Sequence, residues 1–447
     1  MLFFPNNRHA KVHITIYCPV CRSSFSGRLF TPVIYSNAAV DPFAHLDPEE
    51  KTISTKVFYA TNREPLTAAD GHLSYGNGVS NKLHFGQVTV RMGDKNASWQ
   101  DLYLASMEEE RAAPVPLFLE ETHEWATLNP KNAESPALVL SPALQAFADT
   151  INAELAQAAD KEIMLYVHGT KNSFLNAVIL TAELDHFAGR DFVSFAFAWP
   201  SHQNIFTYFF GIDVHRAWHS TLSLHTLIDF LARYTQVEHI NLICYSAGGR
   251  VASKALFEMH RTHADLSVQE LKKTFKLGTV LFAAADVPLE VFLKRLPAIA
   301  EMAQNVVVTV SDEDNVLQAA SEFMGGGERI GSKQAESREE DFVMNNTIDN
   351  FEIVDLSHGK KKRGFNIIGH HYWYVTLFFF CAQTCLPGNV ASNPRTLKVS
   401  GILLMIIRNG YAGQPKKSWK ASGEPGKYSA LRTVSLSASY ELCLCNE

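Results

Sequence analysis

The chain has 447 residues, with 40 Lys and Arg against 46 Asp and Glu and a formal charge of −6. Apolar residues make up 46% and charged residues 19%, which is enough to bury a core and excludes a wholly disordered chain. The slight acid excess excludes a dedicated nucleic-acid binder, and no apolar run reaches the ~20 residues of a spanning helix. The nearest, Tyr372–Leu386, is interrupted by Thr376, Gln383 and Thr384.

Residues 1–50 carry Pro, Asn, Ser and Asp breakers with little periodicity and read as an N-terminal extension. Arg8 and Lys11 precede a short apolar stretch, Val12–Val20, that His13 interrupts. A degenerate lipoprotein signal anchored at Cys21 is therefore the alternative to a plain cytoplasmic start. The odd, sparse set of seven cysteines argues for a reducing compartment. Cys18 and Cys21 form a lone CxxC, and Cys381 and Cys385 are weak candidates to complete a zinc site with it. Residues 53–61 and Phe85–Met92 have strand character, the latter alternating Val88 and Val90 with polar neighbours.

From residue 160 the pattern becomes regular. Ile163–Val167, Val193–Trp199, Ile240–Tyr245, Leu277–Ala285, Val306–Val310 and Phe351–Leu356 are apolar runs of strand length. Without steady polar alternation, such runs suit a sheet buried on both faces. Between them, 212–234 repeats Ala217, Leu224, Leu227, Ile228 and Leu231 at helical spacing, and 248–260 does so with Val251, Ala255 and Met259. Alternating strands and helices predict βαβ units: an α/β fold with a mostly parallel central sheet and helices on both faces. In such sheets function sits at the carboxyl ends of the strands. The expected organisation is an extension over 1–50, one α/β domain over 51–378 with its core at 160–378, and a C-terminal appendage over 379–447.

Polar punctuation falls at those strand ends. Cys244-Tyr245-Ser246-Ala247-Gly248-Gly249 joins a strand to a helix, the arrangement of a nucleophile elbow with Cys244 where the first glycine of G-x-S-x-G stands. The turn presents Ser246 and aims the Ala247 N–H and the helix N-terminus at a developing oxyanion. A serine that merely caps the helix is the plainer reading. His168-Gly169-Thr170 ends the first core strand, where the loop supplies a second oxyanion N–H, here from Thr170; His168 itself reads as a histidine bonding the backbone. In the order Ser…Asp/Glu…His, the acid candidates are Asp286, Asp312 and Asp314, and the bases His358, His370 and His371.

These motifs give the chain a specific resemblance. Val57-Phe-Tyr-Ala-Thr-Asn-Arg63, Ser74-Tyr-Gly-Asn77, Phe85-Gly86 and Val167-His-Gly-Thr-Lys-Asn-Ser-Phe174 are followed by further marks. These are Ala198-Trp-Pro-Ser201, the Ser246 turn, Ala284-Ala-Asp286, Ser311-x-x-Asp314-x-x-Leu317 and Gly369-His-His-Tyr372. Together they resemble the α/β-hydrolase superfamily and, within it, the bacterial α/β-hydrolase family of unknown function DUF900, over roughly 53–375. The resemblance implies an α/β-hydrolase fold with Ser246 as nucleophile, Asp314 as acid and His370 as base, with His371 as its neighbour. It departs at Thr170, where an aromatic or small residue is usual. The expected activity is serine hydrolysis of a small-molecule carboxylic ester through an acyl-enzyme, with no metal or organic cofactor. The alternative is a non-catalytic scaffold that binds a lipid or protein partner.

Three further signals point elsewhere. Gly325-Gly-Gly-Glu-Arg329 lacks the Gly-Lys-Ser/Thr ending of a phosphate loop and reads as a flexible loop or lid. Lys360–Arg363 reads as a solvated loop. The Phe206–Phe210 cluster reads equally as core packing or as an acyl-binding cap.

Overall fold

The computed structural model describes residues 41–67, 71–107, 115–133, 140–158, 161–311, 314–332, 348–355 and 434–435. The six apolar runs of the core lie side by side as parallel strands. Ahead of them, β1 (Ser54–Thr67), β2 (Leu73–Met92) and β3 (Leu117–Leu128) form an antiparallel extension, and β1 joins the parallel part beside β5. The core strands are β4 (Glu162–Val167), β5 (Val193–Phe197), β6 (His239–Tyr245), β7 (Leu277–Ala283), β8 (Ala303–Val310) and β9 (Phe351–Asp355). A two-residue strand, β10 (Val434–Ser435), pairs with β9. Their order is β10-β9-β8-β7-β6-β4-β5-β1-β2-β3.

Helices connect and cover these strands. They are α1 (Trp99–Met107), α2 (Pro130–Ala133), α3 (Pro142–Gln157), α4 (Phe174–Phe187), α5 (Ile205–Phe209), α6 (Ile212–His219), α7 (Thr221–Tyr234), α8 (Gly248–Thr262), α9 (Val268–Phe275), α10 (Leu289–Met302) and α11 (Asn315–Met324). Successive residues of a strand point to opposite faces, and β4 divides its side chains accordingly. Ile163, Leu165 and Val167 enter one cluster with Phe147 of α3, Leu227 of α7, Val251 of α8 and Phe292 of α10. Met164 and Tyr166 enter another with Leu180 and Leu184 of α4. Both faces are thus covered, which is why the runs lack polar alternation.

Local chemistry sets the helix starts. Ser141 caps α3 by accepting from the Leu144 N–H, with Pro142 in the first turn, where a missing N–H costs nothing. Leu144, Phe147, Ala148, Ile151 and Leu155 then bury one face of α3, and removing the Phe147 ring would cost about 3–5 kcal/mol. The stretch expected as one helix over 212–234 is two, broken at Ser220, whose hydroxyl accepts from Asn62 Nδ2 at 3.0 Å and donates to Arg216 O at 2.8 Å. Ahead of the sheet, Phe43 is buried against the Trp99 and His186 rings at 5.3 and 4.6 Å, which seats it on α1 and α4. Among the described residues, no helix is long and apolar enough to cross a membrane.

Candidate active site

β4 is flanked by β5 on one side and β6 on the other, so the chain reverses its direction of strand addition at β4. The crevice at the carboxyl ends of β4 and β6 is the topological switch point of the sheet. His168-Gly169-Thr170 leaves β4 there and Ser246 leaves β6. The two turns touch, for a Cβ built on Gly169 would stand 2.9 Å from Ser246 Cβ.

Ser246 has φ of 51°, in the left-handed region, which costs a non-glycine residue about 1–2 kcal/mol. Three backbone hydrogen bonds of 3.0 Å hold it there: its N–H donates to Ala283 O, and its carbonyl accepts from the Gly249 and Asp286 N–H groups. Gly248 makes the turn possible by closeness rather than by its own φ. A Cβ there would lie 2.3 Å from Val167 O and 2.6 Å from His168 O. Ala247 is buried at the start of α8, where free N–H groups and the helix dipole concentrate positive potential. Cys244 sits in the regular ladder, paired with Val167 and Phe282, so the residue standing for the first glycine lies before the turn. Burial pushes its thiol pKa well up, which makes it an inert core residue.

The loop after β4 is braced from several sides. Thr170 Oγ1 donates to Asp213 Oδ2 at 3.0 Å. Asp213, fully buried, also accepts from the His202 N–H at 3.1 Å, from His202 Nδ1 at 2.8 Å and from Thr207 Oγ1 at 3.3 Å. Asn172 Nδ2 donates to Thr170 O at 3.2 Å, while Arg63 Nη2 and Ser201 Oγ donate to Asn172 O at 2.8 and 2.9 Å. His168 is a structural residue, as its sequence position suggested. Its Nδ1 donates to Gly169 O at 2.7 Å, and its ring stacks on Trp199 at 5.3 Å. Burial, aided by the Arg63 charge, lowers its pKa to about 3, so it stays neutral.

Of the acid candidates, Asp286 is already committed. Its buried carboxylate meets the Arg329 guanidinium at 2.6 Å and Arg250 at 3.3 Å, and accepts the Tyr208 hydroxyl. This clamp ties α5 and α8 to the segment after β7. Asp314 caps α11 by accepting from the Val316 and Leu317 N–H groups, each at 3.1 Å. It is buried and bears electrostatically on Tyr245, the residue before Ser246. Asp312, His358, His370 and His371 lie outside the described residues, as do Lys360–Arg363, 376–400 and Cys18, Cys21, Cys381 and Cys385.

The glycine run, read from the sequence as a flexible loop or lid, lies against a buried arginine. Gly325, Gly326 and Gly327 have φ of 64°, 81° and 75°, a left-handed path that wraps the buried Arg329 side chain. That guanidinium donates to the Gly327, Ala320 and Gly325 carbonyls at 2.7, 3.0 and 2.8 Å. Sequence reasoning missed Asp213 and the Arg329–Asp286 pair, because an acid within a helical stripe and an arginine after glycines carry no local mark of burial. Among the described residues, no group of three or more His, Cys, Asp or Glu side chains could hold a metal ion.

A strand-to-helix turn with a left-handed serine, at the switch point of a mostly parallel sheet, defines an α/β hydrolase. The family model described as "Alpha/beta hydrolase of unknown function (DUF900)" matches residues 143–376, and the chain belongs to that family. No significant match to the chain was found among curated proteins or among solved structures.

Proposed function

We propose that the protein is a serine hydrolase that cleaves carboxylic esters through an acyl-enzyme. The reading rests on one observation: Ser246 is held at φ of 51° against Gly169, with Gly248 packed where no side chain fits. Strain of this kind persists only where surrounding structure imposes it, and in a nucleophile elbow it serves to present the hydroxyl. In this reading Ser246 Oγ attacks the ester carbonyl, and the Ala247 and Thr170 N–H groups receive the oxyanion. His370 takes the serine proton and returns it to the leaving alkoxide, while Asp314 orients the imidazole and stabilises its charged form. The buried carboxylate of Asp314, in the segment between β8 and α11, supports that choice of acid, as the Asp286 carboxylate is already held by Arg250 and Arg329. Phe206, Phe210 and Phe323 are 58%, 80% and 76% exposed on α5, its end and α11, and this apolar rim supports an ester with an apolar acyl chain.

The test is intact-mass analysis after fluorophosphonate treatment, on wild type and on Ser246→Ala, followed by turnover of esters of increasing acyl length. An adduct that maps to Ser246, with turnover that vanishes in Ser246→Ala, is expected. Ester hydrolysis at the wild-type rate by Ser246→Ala would overturn the assignment.

A further inference from the structure

A serine, a histidine and a carboxylate meet on the antiparallel extension of the sheet. β1 and β2 pair Thr61 with His84 and Arg63 with Val79, so residues 80–83 of β2 bulge out opposite Asn62. The bulge brings Ser80 Oγ to 3.2 Å from His84 Nε2. On the neighbouring strand β3, Glu124 Oε2 lies 2.8 Å from His84 Nδ1 and accepts the Tyr75 hydroxyl at 2.6 Å. Burial works against the Glu124 charge, but the hydrogen bonds from His84 and Tyr75 outweigh it and hold the carboxyl below its ordinary pKa.

An ionised carboxylate can only accept. The proton facing Glu124 therefore sits on His84 Nδ1; in the neutral ring, the form a base requires, Nε2 carries the lone pair and the Ser80 hydroxyl donates to it. The Lys82 N–H donates to Ser80 Oγ at 3.1 Å, which occupies an oxygen lone pair and leaves the Ser80 proton to the ring. His84 is buried, Ser80 half-buried, and Asn81 and Lys82 exposed. The base is thus shielded while the hydroxyl borders solvent. A nucleophile in hydrogen-bond reach of a base that a third group orients is the signature of an activated serine, whatever the fold around it.

We propose that Ser80, His84 and Glu124 form a second activated-serine centre, four strands from Ser246 in the sheet, that accepts acyl or phosphoryl groups from small activated esters. Ser80 Oγ bonds to the acyl carbon as its proton passes to His84 Nε2. The imidazolium, paired with Glu124, returns that proton to the departing alkoxide. Water then adds to the acyl carbon, gives its proton to His84, and releases the acid and the free serine. With diisopropyl fluorophosphate the first half-reaction suffices: fluoride leaves and the phosphoryl group stays on Ser80.

The test uses full-length Ser246→Ala, so that failure at Ser246 cannot be confused with failure here. One phosphoryl adduct on the Ser80 peptide is expected, absent from the Ser80→Ala/Ser246→Ala protein. On the Ser246→Ala background, His84→Gln should slow labelling at Ser80 about 10²–10⁴-fold, the usual worth of a positioned base. Because His84 is buried and its replacement can disturb folding, Glu124→Gln is the second variant. Glu124 is only half-buried, and Gln keeps its shape. Labelling should again slow, in protein whose circular dichroism and thermal melt match the parent. A folded Ser246→Ala protein without a Ser80 adduct overturns the proposal. So does a Ser80 adduct that forms at the same rate in both histidine and glutamate variants.

Discussion

Replacing Gly248 by alanine isolates the closest backbone approach at the Ser246 turn. The added methyl would stand 2.3 Å from Val167 O and 2.6 Å from His168 O, both main-chain atoms that no rotamer change can clear. An ordinary C···O contact is about 3.3 Å, so α8 and the end of β4 must separate by about 1 Å. Overpacking of this kind costs about 1–3 kcal/mol, or roughly 2–5 °C in a domain of this size. A misplacement near 1 Å also costs about 100-fold in a reaction that depends on alignment. Thermal melting and the rate of fluorophosphonate labelling at Ser246 read the two effects separately. Gly76→Ala is the control, since its methyl would meet the end of the Leu66 side chain at 3.1 Å and the nearest backbone atom only at 3.8 Å; it should melt closer to wild type. A Gly248→Ala protein with unchanged melting and unchanged labelling would refute the argument that this contact shapes the turn.

Other consequences are open to measurement. Asp286→Ala leaves Arg250 and Arg329 facing each other in a buried site, so urea unfolding should register a loss of about 3–5 kcal/mol; a loss under ~1 kcal/mol would mean the clamp is relaxed by water. Asp213→Ala frees Thr170 Oγ1 and should slow Ser246 labelling more than it lowers the melting temperature; an effect on melting alone would confine Asp213 to stability. Burial, with His263 and Arg233 adding to it, lowers the His225 pKa to about 4, and that of His168 is lowered to about 3. The unfolded chain therefore binds protons that the native chain refuses. Stability is full above pH ~6.5 and falls as pH drops toward 4, by about 1.4 kcal/mol per pH unit for each histidine. Urea titrations at pH 7, 6 and 5 should show that fall, with His225→Gln reducing its slope; an equal slope in the variant would exclude His225 as a contributor.

How much of this the residues disclose depends on what each signal measures. The parallel strands were legible because burial on both faces removes polar alternation, and the Ser246 turn because serine and two glycines close a strand run. Helix α4 was not legible. Residues 174 and 177–187 are all buried, so no apolar stripe stands out against a polar face. β3 escaped for the opposite reason, as most of Leu117–Leu128 is exposed or half-buried and its apolar positions are too few to alternate. The Arg329–Asp286 pair and the Glu124–His84 contact join residues 40 or more apart, a distance over which residue type says nothing about proximity. Thr170, the departure from the family pattern, makes sense only with Asp213 beside it.

One end of the sheet has a meaning for how the molecule behaves in a crowd. Among the described residues β3 is the last strand on its side, where half of its amides and carbonyls face away from β2 and could template the pairing of another chain. It carries Glu120, Glu121 and Glu124 in the space of five residues, the first two exposed. An incoming strand would have to strip water from those carboxylates and bring cations to meet them. Replacing Glu121 by a valine would keep the fold while removing that deterrent, and would turn a self-limiting border into a sticky one.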